Sequence, residues 1–130
     1  MENPGYEVAI SHVERVAEAK ALALHIAEIL TETPAANSVV LDISERSSFA
    51  DFFVICSGEN ERQLRAIANS VREDLAGEGR LPRRTEGESV SGWIVVDYAD
   101  VVVHIFDVDQ RDFYRLEELW SDEITVLAIQ

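Results

Sequence analysis

The sequence has one cysteine, three prolines and no apolar run that approaches the ~18 residues of a membrane span. One cysteine excludes an internal disulfide and a metal site built from several thiolates. The first residues are acidic and lack a basic segment followed by an apolar one, so neither a secretory signal nor a transit peptide is predicted. We therefore expect a cytoplasmic protein that has no membrane partner.

Basic residues are also scarce. The 130 residues contain 11 Lys+Arg against 25 Asp+Glu, which gives a formal net charge of −14. Because proteins that bind nucleic acid place Lys and Arg on its phosphates, this charge predicts no DNA binding and little direct contact with RNA. The same charge favours encounter with a basic protein. The motifs GxxxxGK[ST], GxGxxG, GxSxG, HExxH and CxxC are all absent, so no cofactor is predicted.

The hydrophobic pattern predicts one domain over 11–121, between a flexible leader at 1–10 and a tail at 122–130 of unassigned role. A capping box at Ser11 is expected to start the first helix, and Asn60 and Asp109 are expected to cap two more. Strands are expected near 38–43, 52–56, 84–86, 92–98 and 101–106. This order predicts an α/β fold: a single mixed sheet flanked by helices.

Asp107 and Asp109 are the residues most typical of an enzyme. Two carboxylates one residue apart at a strand end can share Mg²⁺, as nucleotidyl or phosphoryl transfer requires, and Asp42 could add a third ligand. The alternative is a strand end followed by a helix cap, where aspartate is common. We favour the second interpretation, because no phosphate-binding loop accompanies the pair.

Two other groups have structural and functional interpretations. Cys56 lies in the most apolar strand, where an inert buried thiol is expected rather than a reactive one. The predicted hairpin places Val95 opposite His104 and makes Asp97 and His104 diagonal neighbours, within reach of a hydrogen bond. That pair could act as an acid and a base, or the carboxylate could simply hold a half-buried imidazole; we favour the second.

The same hairpin carries large aromatic residues among acidic ones. Trp93 and Tyr98 lie near Asp97 and Asp100, and aromatic residues ringed by charge are typical of protein-recognition surfaces. Trp93 could equally be a core residue, whereas Tyr98 is next to the turn and is expected to be the more exposed. The sequence also has a basic cluster, formed by Arg80, Arg83 and Arg84. It could be a solvated turn, or it could contact a phosphate or a carboxylate locally.

Several separated motifs occur in an order that resembles the ribosomal silencing factor family, also called Iojap-like proteins. They cover about residues 15–121 and comprise LD at 41–42, SFADFFVICSG at 48–58, EGE at 86–88, GWIVVDYADVVVH at 92–104 and RDFYRLEELW at 111–120. The resemblance implies a nucleotidyltransferase-like topology without the catalytic residues. It also implies a non-enzymatic factor that binds large-subunit ribosomal protein L-fourteen and blocks joining of the ribosomal subunits when nutrients are scarce.

In the family, recognition of this partner includes the tryptophan and the turn that follows its strand. The resemblance therefore implies a partner-binding site at Trp93, Tyr98, Ala99 and Asp100, with Asp97 on the same hairpin. The family commonly has Leu-Gly where this chain has Tyr98-Ala99, so a turn that needs a positive φ would be strained by Ala99. Whether the protein forms a homodimer is left open.

Overall fold

A computed structural model describes residues 4–119 and 125–130. Within these residues the helices are α1 (Pro4–Leu30), α2 (Glu61–Gly77) and α3 (Val108–Tyr114). The strands are β1 (Ala36–Asp42), β2 (Phe52–Gly58), β3 (Arg84–Glu86), β4 (Trp93–Asp97), β5 (Val101–Asp107) and β6 (Thr125–Ile129). Two short 3₁₀ helices, Ser89–Ser91 and Leu116–Leu119, connect them.

The six strands form one mixed sheet in the order β3-β4-β5-β2-β1-β6. β2 and β5 are parallel, and the other neighbouring pairs are antiparallel. The predicted register of the β4–β5 hairpin is confirmed, because Val95 pairs with His104. The predicted fold class, an α/β domain with one mixed sheet, is likewise confirmed.

Helices α1 and α2 cover one face of this sheet. Asn60 caps α2 as expected, since its side chain accepts a 2.8 Å hydrogen bond from the backbone N–H of Gln63. The buried stripe of α2 recurs at helical spacing and consists of Leu64, Ile67, Ala68, Val71 and Leu75. It packs with α1 and the inner residues of β2 and β5 into the main core. β2 is buried along its whole length, as its apolar sequence predicts.

The opposite face of the sheet, here called the open face, carries a smaller apolar cluster. Its buried members are Leu41, Ile43, Ala50, Phe53, Ile55, Val102 and Phe106. Val39, Trp93, Val95 and Leu116 pack against these residues but are only partly buried. Within the described residues, the loop between β1 and β2, the seven-residue helix α3 and the turn after α3 lie against this side. In this part of the chain, two long helices therefore cover one face of the sheet, and shorter segments lie on the other.

Three predicted boundaries are wrong. Helix α1 begins at Pro4, so Ser11 is not its cap and residues 4–10 are helical; residues 1–3 lie outside the described part. The last helix is capped by Asp107 rather than Asp109, and it ends at Tyr114. Leu116, which was expected on that helix, lies in the 3₁₀ segment, while Trp120 is outside the described residues.

The tail of unassigned role contributes β6, which pairs antiparallel with β1 at one edge of the sheet. Val126 and Leu127 pack against the main core. None of the helices in the described residues is long and apolar enough to cross a membrane.

Candidate partner-binding surface

Aromatic rings run across the open face in an unbroken series of contacts, here called the aromatic band. It consists of Phe49, Phe53, His104, Trp93, Phe106, Tyr114 and Phe113. Neighbouring ring centroids in the band are 4.6 to 6.4 Å apart. The residues at its two ends are largely exposed, with Phe49 at 64% and Phe113 at 76%. The band thus has buried members, Phe53, His104 and Phe106, and ends that are exposed to solvent.

Trp93 lies in the middle of the aromatic band and is half-buried. Its ring stacks on Phe106 at 4.8 Å and contacts Tyr114 at 4.7 Å. Its indole N–H donates a 3.2 Å hydrogen bond to Nδ1 of His104. Trp93 is therefore not a fully buried core residue, since its ring packs on Phe106 and Tyr114 and remains partly accessible to solvent.

A shallow groove of about 360 Å³ lies beside Trp93. Its lining residues are Glu86, Gly87, Ser91, Trp93, Val95, Gln110 and Tyr114. Gly87 has a φ of +80°, and a Cβ atom there would lie 2.1 Å from the carbonyl oxygen of Trp93. Only glycine fits this close approach. The absence of a side chain at Gly87 lets the end of β3 lie against the backbone of Trp93.

Asp97 and His104 do not form the expected pair. The carboxylate of Asp97 is buried and accepts hydrogen bonds from Arg83 at 2.8 Å, Arg84 at 3.2 Å and the backbone N–H of Ala99 at 2.7 Å. Burial alone would raise the pKa of Asp97, but these hydrogen bonds and the two guanidinium charges together hold it below its ordinary value. Asp97 therefore anchors β3 and the turn to β4.

His104 is held by Trp93 instead of by a carboxylate. Burial lowers the pKa of His104 to about 4, against a smaller upward effect of Asp97. Because Nδ1 accepts the indole hydrogen bond, the proton of the neutral ring is on Nε2, which is buried and has no partner in the described residues. No acid–base pair is formed at this position.

The prediction that Tyr98 is exposed is wrong. Its side chain is only 7% exposed and belongs to the main core, on the helix side of the sheet. Residues alternate between the two faces along β4, so Tyr98 follows Ile94 and Val96 rather than Trp93. The hydroxyl oxygen of Tyr98 is buried and lacks a hydrogen-bond partner among the described residues.

Ala99 adopts the strained turn that the alanine was expected to disfavour. Its φ is +71°, and the N–H of Asp100 donates a 3.0 Å hydrogen bond to the carbonyl oxygen of Tyr98. A bond between residues two apart around a positive φ defines the rare and strained form of the γ-turn. The side chain of Asp97, which accepts from the Ala99 N–H, holds this turn in place.

Asp100 is half-buried at the tip of the hairpin. Its carbonyl oxygen accepts hydrogen bonds from the N–H groups of Asp51 and Phe52, at 2.8 and 3.1 Å. Its carboxylate forms an ion pair of 3.0 Å with Arg15 of α1, which also binds the carboxylate of Asp51. The turn is thereby tied both to β2 and to the first helix.

The five candidate residues do not form one continuous surface. Trp93 and Asp97 lie at opposite ends of β4, roughly 13 Å apart at 3.3 Å per residue. Only Trp93 belongs to the aromatic band, while Tyr98 is buried on the other side of the sheet. The sequence interpretation did not find Phe49, Tyr114 and Phe113, although each is an aromatic residue in a polar segment, which is the signal that could have identified them.

Asp107 and Asp109, the two carboxylates of the alternative enzyme interpretation, line one groove, but Asp42 is not brought near them. Asp107 caps α3 by accepting from the N–H of Gln110 at 2.7 Å. Asp42 pairs with Phe52 at the start of β2, whereas Asp107 pairs with Gly58 at its end, so the two are roughly 20 Å apart. Among the described residues, no group of three or more His, Cys, Asp or Glu side chains is placed to hold a metal ion.

Cys56 is fully buried in β2. Burial raises the pKa of its thiol to about 12, with only a small opposing effect from Arg111. The thiol therefore stays protonated at neutral pH and packs as an apolar group, as the sequence predicts.

Comparison with known proteins assigns the chain to a family. Residues 16–129 match the family described as "Ribosomal silencing factor during starvation", which extends the match beyond residue 121 and into the tail. The chain is 42% identical to the ribosomal silencing factor of Halalkalibacterium halodurans over 88 residues, which is 68% of this chain and 75% of that protein. It is 39% identical to that of Bacillus subtilis over 84 residues, 65% and 71% of the two chains.

A solved structure agrees with this assignment. The crystal structure of a protein from Chromobacterium violaceum superposes with a TM-score of 0.72 at 33% identity, over 81% of this chain and 85% of that one. Both the sequence match and the shared fold extend over most of the chain. The chain therefore belongs to the ribosomal silencing factor family.

Proposed function

We propose that this protein represses translation by binding the large ribosomal subunit through ribosomal protein L-fourteen, where it sterically blocks joining of the small subunit when nutrients are limiting. Membership of the family supports the ribosomal role. The partner and the steric mechanism follow from the family resemblance of the hairpin motif at 92–104. We place this activity in the cytoplasm and assign it neither a catalytic step nor a cofactor.

The observation that carries the proposal is Trp93, which lies within the aromatic band and remains partly accessible to solvent. Tryptophan and tyrosine are enriched among the residues that dominate the energy of protein interfaces. Phe113 and Tyr114 extend the apolar strip on one side of Trp93, and Phe49 extends it on the other. In this arrangement a partner that covers the open face buries the exposed side of the indole ring.

The charge of the chain favours a basic protein as this partner. Glu86 lines the groove beside Trp93, and Asp109 and Asp112 are exposed on α3 next to the band. These carboxylates complement Lys and Arg residues at the rim of an interface, where charge mainly steers association. The net charge of −14 weighs against extended contact with DNA or RNA.

Within this proposal the five hairpin residues have different roles. Trp93 touches the partner directly, and the turn at Ala99 and Asp100 borders the contact. Asp97 and Tyr98 are buried, so they position the hairpin instead of touching the partner. This division differs from the simpler expectation that all five lie in the interface.

Subunit joining measured by sedimentation tests the proposal. Added in excess over large subunits, the protein should reduce the fraction of joined ribosomes, and Trp93→Ala should weaken binding to isolated L-fourteen by about 2 kcal/mol or more. Leu81→Ala is the matched control, because Leu81 is 75% exposed and lies outside the aromatic band. Unchanged joining at stoichiometric excess, or equal effects of the two substitutions, would contradict the proposal.

The rival function, metal-dependent nucleotidyl or phosphoryl transfer by Asp107 and Asp109, makes a different prediction. It requires saturable, Mg²⁺-dependent nucleotide binding that is lost in Asp107→Asn and Asp109→Asn. We expect calorimetry with ATP, GTP, CTP and UTP in the presence of Mg²⁺ to give no heat of binding. Saturable heat that depends on both carboxylates would favour the enzyme.

A further inference from the structure

A second cavity, here called the α3 cavity, lies beside the carboxyl end of β2. Its volume is about 450 Å³, within the range of small-molecule sites. β2 and β5 are parallel, and ligands of open α/β sheets commonly bind at the carboxyl ends of parallel strands. The charged and hydroxyl-bearing residues that line the cavity are Ser57, Arg111, Asp112, Arg115, Glu117 and Glu118. None of these six residues belongs to the aromatic band, so the proposed function leaves the α3 cavity without a role.

Helix α3 separates this cavity from the groove beside Trp93. Gln110 and Tyr114, which are four residues apart, line the groove. Arg111 and the capping residue Arg115, also four residues apart, line the α3 cavity. The two sites therefore use different sides of one short helix, and a ligand in the α3 cavity would not occupy the groove.

The floor of the α3 cavity provides hydrogen-bond donors. The side chain of Arg111 is only 12% exposed, and its Nη1 donates a 2.9 Å hydrogen bond to Oγ of the buried Ser57. Its Nε donates a 3.2 Å hydrogen bond to Glu117. Among the described residues, neither Nη2 of Arg111 nor the hydroxyl hydrogen of Ser57 has an acceptor. Since polar groups at buried positions are normally paired, these two donors are available to an anionic group in the cavity.

Arg115 adds a second guanidinium group to the same wall. Its terminal nitrogens lie 3.8 Å from the carboxylate of Asp112 and 3.7 Å from that of Glu118, which is too long for hydrogen bonds. Its Nε donates a 3.1 Å hydrogen bond to the backbone carbonyl of Asp112. The terminal N–H groups of Arg115 therefore remain free to donate to a carboxylate beside Arg111.

A carboxylate of the chain faces the same cavity. Glu117 pairs with Arg111 through Oε1, while its Oε2 has no hydrogen-bond partner among the described residues. The side chain is 31% exposed, and the terminal torsion of glutamate rotates readily, so this carboxylate can turn an oxygen towards a ligand. Leaving a charged oxygen unpaired is unfavourable, and a cationic N–H donor would satisfy it.

The backbone of the cavity wall is strained at two positions. Asn37, which also lines the cavity, has a φ of +52°, and Arg115 has a φ of +47°. Within the described part of the chain, three non-glycine residues have a positive φ, and these are two of them. Such strain persists only where the surrounding structure holds it, and it is concentrated at ligand sites.

We propose that the α3 cavity binds a free α-amino acid. The carboxylate of the ligand accepts hydrogen bonds from Arg111 and Arg115, and its ammonium group donates to Glu117. Guanidinium groups bind carboxylates through two parallel hydrogen bonds, which fixes the orientation of the ligand. A ligand with both charges matches both sides of the cavity, whereas a simple anion or a simple cation would match only one.

The overall charge of the chain also favours this class of ligand. A net charge of −14 repels a small anion from a distance, which disfavours free phosphate and simple carboxylic acids. A polyamine would be attracted by the chain but would meet two guanidinium groups inside the cavity. An amino acid with no net charge avoids both forms of repulsion.

Calorimetry of the protein with each of the standard L-amino acids tests the proposal. We expect saturable binding of at least one at millimolar concentration. Its carboxylic acid analogue without the α-amine, and its amide without the free carboxylate, should each bind about tenfold more weakly. Absence of saturable binding by every amino acid, or equal binding by either analogue, would overturn the inference. Tighter binding of inorganic phosphate or spermidine would also overturn it.

Two substitutions locate the ligand in the α3 cavity. Arg115 is exposed, so Arg115→Gln should fold normally and bind the amino acid about tenfold more weakly. Arg62→Gln is the charge-matched control, because Arg62 is exposed on α2 and does not line the cavity. Equal binding by these two variants would overturn the assignment.

Glu117→Gln tests the contact with the ammonium group. It should weaken binding of the amino acid but not of the carboxylic acid analogue, so that the preference for the amine is reduced about tenfold. A purely structural defect would weaken both ligands equally, and that result would overturn the role of Glu117. The inference does not depend on the proposed function, because calorimetry with free amino acids requires neither L-fourteen nor the ribosome.

Discussion

The indole N–H of Trp93 donates a hydrogen bond to Nδ1 of His104, so two residues on neighbouring strands hold each other on the open face of the sheet. The bond requires a neutral imidazole, because a protonated ring would carry hydrogen on both nitrogens. The orientation of the tryptophan at the centre of the candidate surface is thus coupled to the protonation of a buried histidine.

This coupling predicts a dependence of stability on pH. The pKa of His104 is lowered from 6.5 to about 4 by burial, so the unfolded chain binds a proton between these values and the folded chain does not. Stability should be fully present above pH ~6.5 and should fall as the pH decreases towards 4, by roughly 3 kcal/mol in total. Urea unfolding at a series of pH values measures the effect.

The control for this measurement is His104→Leu, which removes the titrating group and keeps the site apolar. The variant should lose the part of the slope that lies between pH 6.5 and 4. Equal slopes for the two proteins would show that His104 does not titrate in this way. In the folded protein the pKa of Asp97 is held below its ordinary value. The stability that Asp97 contributes is therefore lost at more acidic pH, as the pH falls through this lowered pKa.

Replacing Ala99 by glycine should stabilise the protein by about 1 kcal/mol. Alanine at a φ of +71° is strained by its Cβ atom, and glycine adopts this conformation without that strain. The relief of strain is partly offset by the greater freedom of glycine in the unfolded chain. The midpoint of urea unfolding at constant m-value is the measurement.

Ala66→Gly is the matched control for this substitution. Ala66 is exposed in the middle of α2, where glycine should cost about 1 kcal/mol. The same chemical change should therefore have opposite signs at the two positions. A loss of stability at both would indicate that the turn at Ala99 is not strained.

The carboxylate of Asp97 should contribute far more to stability than that of Asp100. Asp97→Asn removes the charge that pairs with Arg83 and Arg84 in a buried position, at a cost of about 2 kcal/mol. Asp100→Asn removes one half-exposed ion pair to Arg15, which keeps Asp51 as a partner, so less than about 1 kcal/mol is expected. Thermal unfolding of the two variants measures the difference, and equal shifts would contradict it.

Local sequence signals predicted those parts of the fold that depend on neighbouring residues. The two-residue turn Ala99–Asp100 fixes the register that pairs Val95 with His104, and the side chain of Asn60 is a sufficient cap for α2. The choice between Asp107 and Asp109 as the cap of α3 was wrong because both residues satisfy the same local rule. Pro4 is compatible with a first helical turn, so the early start of α1 also had a signal.

The candidate site was harder to predict because it depends on which face of the sheet is covered. Strand alternation alone places Tyr98 with Ile94 and Val96, but its position next to the turn suggested exposure instead. The aromatic band joins Phe49 from one loop to Phe113 from the last helix, and no local rule connects residues so distant in sequence. The pairing of β6 with β1 was not predicted from the sequence, because it too joins residues that are distant along the chain.

The last prediction separates the roles of charge and of apolar contact in binding L-fourteen. Asp109 is exposed next to the aromatic band, so Asp109→Lys should slow association and flatten its dependence on salt. Trp93→Ala should instead raise the dissociation rate and keep the salt dependence, because burial of apolar surface is not screened by ions. Kinetic binding to isolated L-fourteen at several salt concentrations measures both rates. Glu28→Lys on α1, away from the band, is the charge-matched control and should have the smaller effect on association. An association rate that stays flat or rises with salt would show that the acidic charge does not steer the encounter, and the apolar contact at Trp93 would then have to account for recognition alone.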